Sequence, residues 1–232
     1  MKKLSFIITL LIIFSCSSDK YNATIKGEIK GLKKGVIYLQ KFEDTLTVNI
    51  DSINVKGNST FEIQYNINEP EVYSLLLDKN DNIESRIIFF ANEGVTEINS
   101  TLKNFVHDAK ISGCKQQETL NEFLKMKSKF NNSNLEIVED RINAQIKKDS
   151  NELNQLDKKY ESLLKRKYLY TANFAINNKD SEVAPFLALT EIYDANIKLL
   201  DTINNSLTPK VKSSKYGIRL QEFIDEIRQN EE

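Results

Sequence analysis

Tryptophan is absent from the 232 residues, histidine occurs once, cysteine twice and proline three times. The scarcity of histidine and of cysteine closes off classes of function. A mechanism that needs two imidazoles is excluded, and any Ser/His/Asp or Cys/His arrangement must use His107, since only histidine is a base near neutral pH without large perturbation. His107 sits in a predicted strand beside Asp108 and reads as a surface or loop residue, so no catalytic residue is assigned. No C-x-x-C metal spacing, H-E-x-x-H, phosphate loop or G-x-G-x-x-G occurs, and the few glycines fall mostly at turns. That pattern gives no metal site and no cofactor. A formal net charge of -1 gives no electrostatic case for nucleic acid. Lysines and acids alternate along the C-terminal half, which reads as solvated helix faces.

What the chain does have begins at its first residue. Met1-Lys2-Lys3 is a positive start, Leu4 to Phe14 is an apolar run, and the small Ser15 precedes Cys16. This is the build of a secretory signal peptide, residues 1–15. The run is about 11 residues where a membrane span takes about 20, so it is not a span. A cysteine after the small residue resembles a bacterial lipobox, with Ile13 where leucine is usual. Cys16 is therefore the expected lipidation site and 16–22 a lipidated tether. One acyl chain holds a protein to a membrane only reversibly, whereas two or more anchor it. Ser17 is not an acidic retention residue, so the expectation is an outer-membrane, lipid-anchored protein of the cell envelope, its face undetermined.

Removing those 15 residues leaves 217 (232 − 15), enough for one large or two small domains. With Cys16 acylated, Cys114 is alone and no internal disulfide forms in the mature chain. Cys114 lies where the pattern changes from strand to helix, where a helix N-terminus lowers a thiol pKa, so it is the candidate reactive thiol. It has no resolving partner, which rules out self-contained disulfide exchange.

From Ala23 apolar residues recur every second position. Ile25, Gly27 and Ile29 alternate with charged residues, a Gly-bearing turn follows, and Val36 to Leu39 returns as a second strand. Leu46 to Ile50, Phe61 to Ile67, Val72 to Leu77, Arg86 to Phe90, Val95 to Ile98 and Phe105 to Ile111 complete about eight strands. Arg86-Ile87-Ile88-Phe89-Phe90 is dense enough to be covered on both faces. The expected fold class is α+β, an antiparallel β-sandwich-like domain over 23–112 followed by a helical domain over 113–232.

At Ser112-Gly113 the period changes. A helix of about four turns is predicted around Leu120 to Lys127. Ser133 and Glu136 fit a capping box that starts a second, long helix. Its seam runs Val138, Ile142, Ile146, Leu153, Leu156, Tyr160 and Leu163, with Asp149 inside it. After a polar break at Asn177 to Asp180, Ser181 caps a helix with Pro185 in its first turn. Ile197 to Leu207 is a further helix, Thr208-Pro209 restarts the chain, and Tyr216, Leu220, Phe223, Ile224 and Ile227 form an amphipathic stripe.

The carboxylates Glu136, Glu139, Asp140, Asp194 and Asp201 read as helix-surface charges, and the Tyr and Phe residues of the strands as core filling. Asp44-Thr45-Leu46, Asp51-Ser52-Ile53 and Asp201-Thr202-Ile203 resemble the acceptor tripeptide of O-glycosylation in exported Bacteroidota proteins.

Thr24-Ile25-Lys26-Gly27-Glu28-Ile29-Lys30-Gly31-Leu32 through Gly35-Val36-Ile37-Tyr38-Leu39 resembles the opening of the domain of unknown function 4369. Asp51-Ser52, Gly57, Phe61, Pro70, Ile87-Ile88-Phe89-Phe90 and Ile111-Ser112-Gly113 continue the likeness. Ser181 to Leu187 and Ser214 to Leu220 are similar to the helical segment that follows that domain in Bacteroidota lipoproteins. The resemblance implies a β module, a helical segment and then a thioredoxin-like domain. The chain ends at Glu232, where that last domain would begin, so the redox site is not expected. No catalytic residue carries over.

The resulting expectation is not an enzyme but a lipid-anchored envelope protein, a binding or scaffolding module with the membrane and an envelope protein as partners. The alternative is an accessory or docking partner of an envelope thiol-disulfide (thioredoxin-like) system, acting through Cys114.

Overall fold

The computed structural model describes residues 21–43, 46–78 and 85–231. Cys16, the leader, the tether up to Lys20 and Thr45 lie outside them.

Eight strands come first: β1 (Ala23–Lys30), β2 (Lys34–Glu43), β3 (Leu46–Lys56), β4 (Thr60–Tyr65), β5 (Glu71–Leu77), β6 (Arg86–Ala91), β7 (Gly94–Thr101) and β8 (Lys110–Ser112). They form two four-stranded sheets, ordered β4-β1-β7-β8 and β3-β2-β5-β6. The sheets face each other across one core to which Ile25, Ile37, Leu39, Phe61, Ile63, Leu75, Phe89 and Ile98 contribute. Strict alternation makes this packing, because period-two side chains put every apolar residue of a strand on one face. β4 shows it plainly: Phe61, Ile63 and Tyr65 are buried while Thr60, Glu62 and Gln64 are exposed.

The expectation of an antiparallel sandwich needs one correction. Five of the six strand pairings are antiparallel, but β1 and β7 run parallel, from Ala23 beside Gly94 to Lys30 beside Thr101. Five strands intervene between them, and that length of chain returns β7 in the direction of β1. Gly27 lies at the tightest point of this pair, where a Cβ would collide with the carbonyl oxygen of Ile98. The last strand is shorter than predicted. Residues 102–108 form turns, tied by Thr101 Oγ1 donating to Asp108 Oδ2 at 2.6 Å, and only Lys110–Ser112 pairs.

Six helices follow among the described residues: α1 (Lys115–Lys147), α2 (Ser150–Asn177), α3 (Val183–Glu191), α4 (Ile197–Ser206), α5 (Pro209–Lys212) and α6 (Lys215–Glu231). α1 runs 33 residues without interruption, straight through Asn131 to Asn134, so Ser133 and Glu136 are interior and cap nothing. Local propensity is a weak prior that tertiary packing overrides. The real break comes at Lys148, in the left-handed region with φ +56°, and Asp149 caps α2 by accepting from Asn151 N and Glu152 N, both at 3.0 Å. The two long helices are therefore a hairpin whose mutual face uses Ile137, Ala144, Leu156 and Leu163. Val138, Ile142 and Ile146, expected in the seam, are exposed.

Alanines 172, 175, 184 and 188 bring α2 and α3 close, and with Leu200, Ile203, Leu220 and Ile224 build a second core among α2, α3, α4 and α6. A third cluster joins the two halves. Val72 and Phe90 point from the outer face of the second sheet into Cys114, Leu120, Phe123, Val183 and Leu187. β5 and β6 are thus covered on both faces along part of their length, in line with their apolar density.

A groove between the second sheet and two helices

The first residues of α6 tie the helices to the sheet. Tyr216 OH accepts the Val72 N–H at 2.9 Å, past the end of the β2–β5 ladder. Lys215 Nζ pairs with Glu71 and donates to the Phe42 carbonyl at 3.0 Å, while its backbone N–H donates to Glu69 Oε2 at 2.9 Å. Phe90, Phe186 and Tyr216 form a triangle of rings with centroids 5.2, 5.8 and 5.3 Å apart, all edge-on. Such pairs add roughly 0.5–1.5 kcal/mol each beyond area burial.

The same contacts leave a groove of about 560 Å³ beside them. Phe42 of β2, Val72 of β5 and Ile88 of β6 line it from the sheet, Phe186 and Leu189 from α3, and Tyr216 and Ile218 from α6. Thr190, Lys215, Arg219 and Glu222 complete the lining. Volume and lining are those of a small-molecule site, mostly apolar with a few placed polar groups. Burial raises the Tyr216 phenol well above the ordinary tyrosine value, so it stays protonated. A second hollow of about 470 Å³ is polar, lined by Glu69, Glu93, Glu182 and Lys210 among others.

Cys114 does not sit where a reactive thiol should. It occupies the N-cap position of α1 and is 3 % exposed, packed in the cluster of Val72, Phe90 and Leu120. Burial raises its pKa; the N–H groups of Gln116 and Gln117 act the other way, and do not win. The helix terminus is present as expected, but desolvation outweighs it. Gly113 before it has φ +95°, and a Cβ there would strike the Val95 carbonyl, which fixes how the chain turns from sheet to helix.

His107 is exposed on the 102–108 turn. The singled-out carboxylates that have partners are engaged structurally: Asp140 with Lys159 at 3.6 Å, Asp194 with Tyr168 OH at 2.6 Å, Asp201 with Arg228 at 2.6 Å. Among the described residues no group of three or more His, Cys, Asp or Glu is placed to hold a metal ion. Ser52 and Thr202 of the acceptor-like tripeptides are exposed. No described helix is long and apolar enough to cross a membrane.

The groove brings together residues that sequence reading left apart, since Phe42 and Glu222 are separated by most of the chain. Tyr216 was expected in one stripe with Leu220 and Ile224. It packs instead against the sheet, while those two face the helical core. The ring on the first turn of α6 meets Val72, 144 residues away in sequence, and carries no local signal of that contact.

Comparison with known families gives a match over residues 23–120 to the model described as Domain of unknown function (DUF4369). The matched stretch begins at the first residue of β1 and ends at Leu120 in α1, so it takes in the sandwich and the helix start that packs on it. No curated protein matches the chain.

Proposed function

We propose, for a chain whose residues 23–120 are a domain of the DUF4369 family, a non-catalytic, lipid-anchored binding module of the bacterial cell envelope. Acyl chains on Cys16 hold it in the outer membrane, and the groove between the second sheet, α3 and α6 receives what it binds. The observation that carries the binding reading is the composition of that groove. It is apolar over most of its surface, and its polar groups are Thr190, Lys215, Arg219 and Glu222, with neither histidine nor thiol among them. Lys215 is held by Glu71 and the Phe42 carbonyl, an arrangement suited to fixing α6 and not to proton transfer.

The lipobox-like Ser15-Cys16 supports the anchor. The test is inhibition of lipoprotein signal peptidase with globomycin, followed by fractionation. Uncleaved precursor should accumulate, and Cys16→Ala should move the protein out of the membrane fraction. A Cys16→Ala protein that stays with the membrane refutes the anchor. Docking of a thiol-disulfide partner through Cys114 finds no support in a thiol this buried. A mixed-disulfide trap with Cys114→Ser as control decides it.

A further inference from the structure

We propose that the groove binds a long-chain fatty acid, its hydrocarbon chain over Phe42, Val72 and Ile88 and its carboxylate between Lys215 and Arg219. This rests on the reading of the groove as the binding site and names the class of ligand.

The argument is one of shape and then of hydrogen-bond capacity. A cavity of about 560 Å³ suits a single small amphiphile, and its sheet side, Phe42, Val72 and Ile88, offers an apolar body no side-chain hydrogen bond. Its polar lining comes from the helices, Thr190 on α3 and Lys215, Tyr216, Arg219 and Glu222 on α6, and none of it from the sheet. Lys215 and Arg219 are one helical turn apart on α6, about 6 Å along its axis, and so project from the same side. Counting Glu71, the partner of Lys215, and Glu222, two cations meet two carboxylates and the charge is balanced. The donors are not balanced. The Lys215 ammonium has three N–H donors, of which Glu71 and the Phe42 carbonyl take two. Arg219 has five, and among the described residues one is engaged, by Glu222 at 3.4 Å in a pair more than half exposed on both sides. Such a pair is worth little and yields readily.

A carboxylate only accepts, and the planar guanidinium fork matches it in two parallel bonds. An ammonium head would compete with Lys215 and Arg219 for Glu71 and Glu222, and would add donors where donors are already in excess. An alcohol or ester would leave most of the donors unused. The head group that fits is an anion, and the body that fits is apolar.

The experiment is photolabelling of the full-length protein in its native membranes with a diazirine-bearing palmitate analogue and, in parallel, its methyl ester. Adducts are mapped by peptide mass spectrometry. The free acid should label peptides carrying Ile88, Phe186 or Ile218, with the ester several-fold weaker. Arg219→Gln should cut that labelling about tenfold, as expected for one charge-assisted contact. Ile218→Trp, which fills the groove from a position 49 % exposed, should abolish it. Equal labelling of groove peptides by acid and ester overturns the fatty-acid assignment and leaves the groove as a site. Adducts scattered over the surface and insensitive to Ile218→Trp overturn both.

Discussion

The side-chain carbonyl of Gln117 accepts the Phe90 N–H at 2.7 Å, and both residues are buried. β6 is an edge strand, so this N–H points away from β5 and has no ladder partner. A helix side chain does the work of the next strand. That bond closes a sheet edge which would otherwise be exposed or left unsatisfied, and Gln117 lies inside the stretch matched by the family model.

Replacing Gln117 with Leu should therefore cost about 1–3 kcal/mol, the penalty of a buried donor left unpaired. Urea unfolding read by circular dichroism measures it. A loss below roughly 0.5 kcal/mol would mean that water takes over the Phe90 N–H.

Ser74 gives the opposite sign. Its hydroxyl is fully buried on the outer face of the second sheet, across from Gln40 and Ile88, and has no hydrogen-bond partner among the described residues. Ser74→Ala removes an uncompensated polar group, so the variant should be at least as stable as the parent, by up to about 1–2 kcal/mol. A drop in the urea midpoint would show that the hydroxyl is satisfied in solution.

At the hairpin tip, Asp149→Ala removes both cap bonds and should cost about 0.5–2 kcal/mol. Lys148→Gly should stabilise slightly, because glycine adopts positive φ without the side-chain penalty. Paired thermal melts of the two variants check both signs.

Alkaline pH should weaken the fold in two stages. Burial raises Cys114, and likewise Tyr65, Tyr73 and Tyr216, above their ordinary values. A raised folded pKa stabilises fully below the unfolded value and is lost as pH rises through the folded one. Stability should hold to about pH 8.5, where an unfolded thiol ionises, and fall again above about pH 10, where unfolded phenols do. In the native protein Cys114 should react with a thiol reagent far more slowly than in denaturant. Equal rates would place the thiol at the surface.

How much of this was legible beforehand depends on range. The strands were readable because Phe61, Ile63 and Tyr65 alternate, and alternation is local. The break at Asn177 and the start at Pro209 were readable from breakers, whereas the cap expected at Ser181 falls one residue early, since Glu182 holds the N-cap position of α3. Asp149 was misread as a seam residue because capping depends on the φ of the residue before it, which Lys148 does not advertise. The parallel β1–β7 pair and the groove were not readable at all. Both join residues brought together only by the packing of sheet on sheet and helix on sheet, and periodicity within a segment says nothing of which segment it will face.

The most direct test of the whole account is the mass of the N-terminal peptide of the protein isolated from membranes. The account predicts a peptide that begins at Cys16 and carries fatty acyl groups. A peptide that begins elsewhere, or an unmodified cysteine at its start, contradicts the anchor, and with it the proposed place of the groove at a membrane.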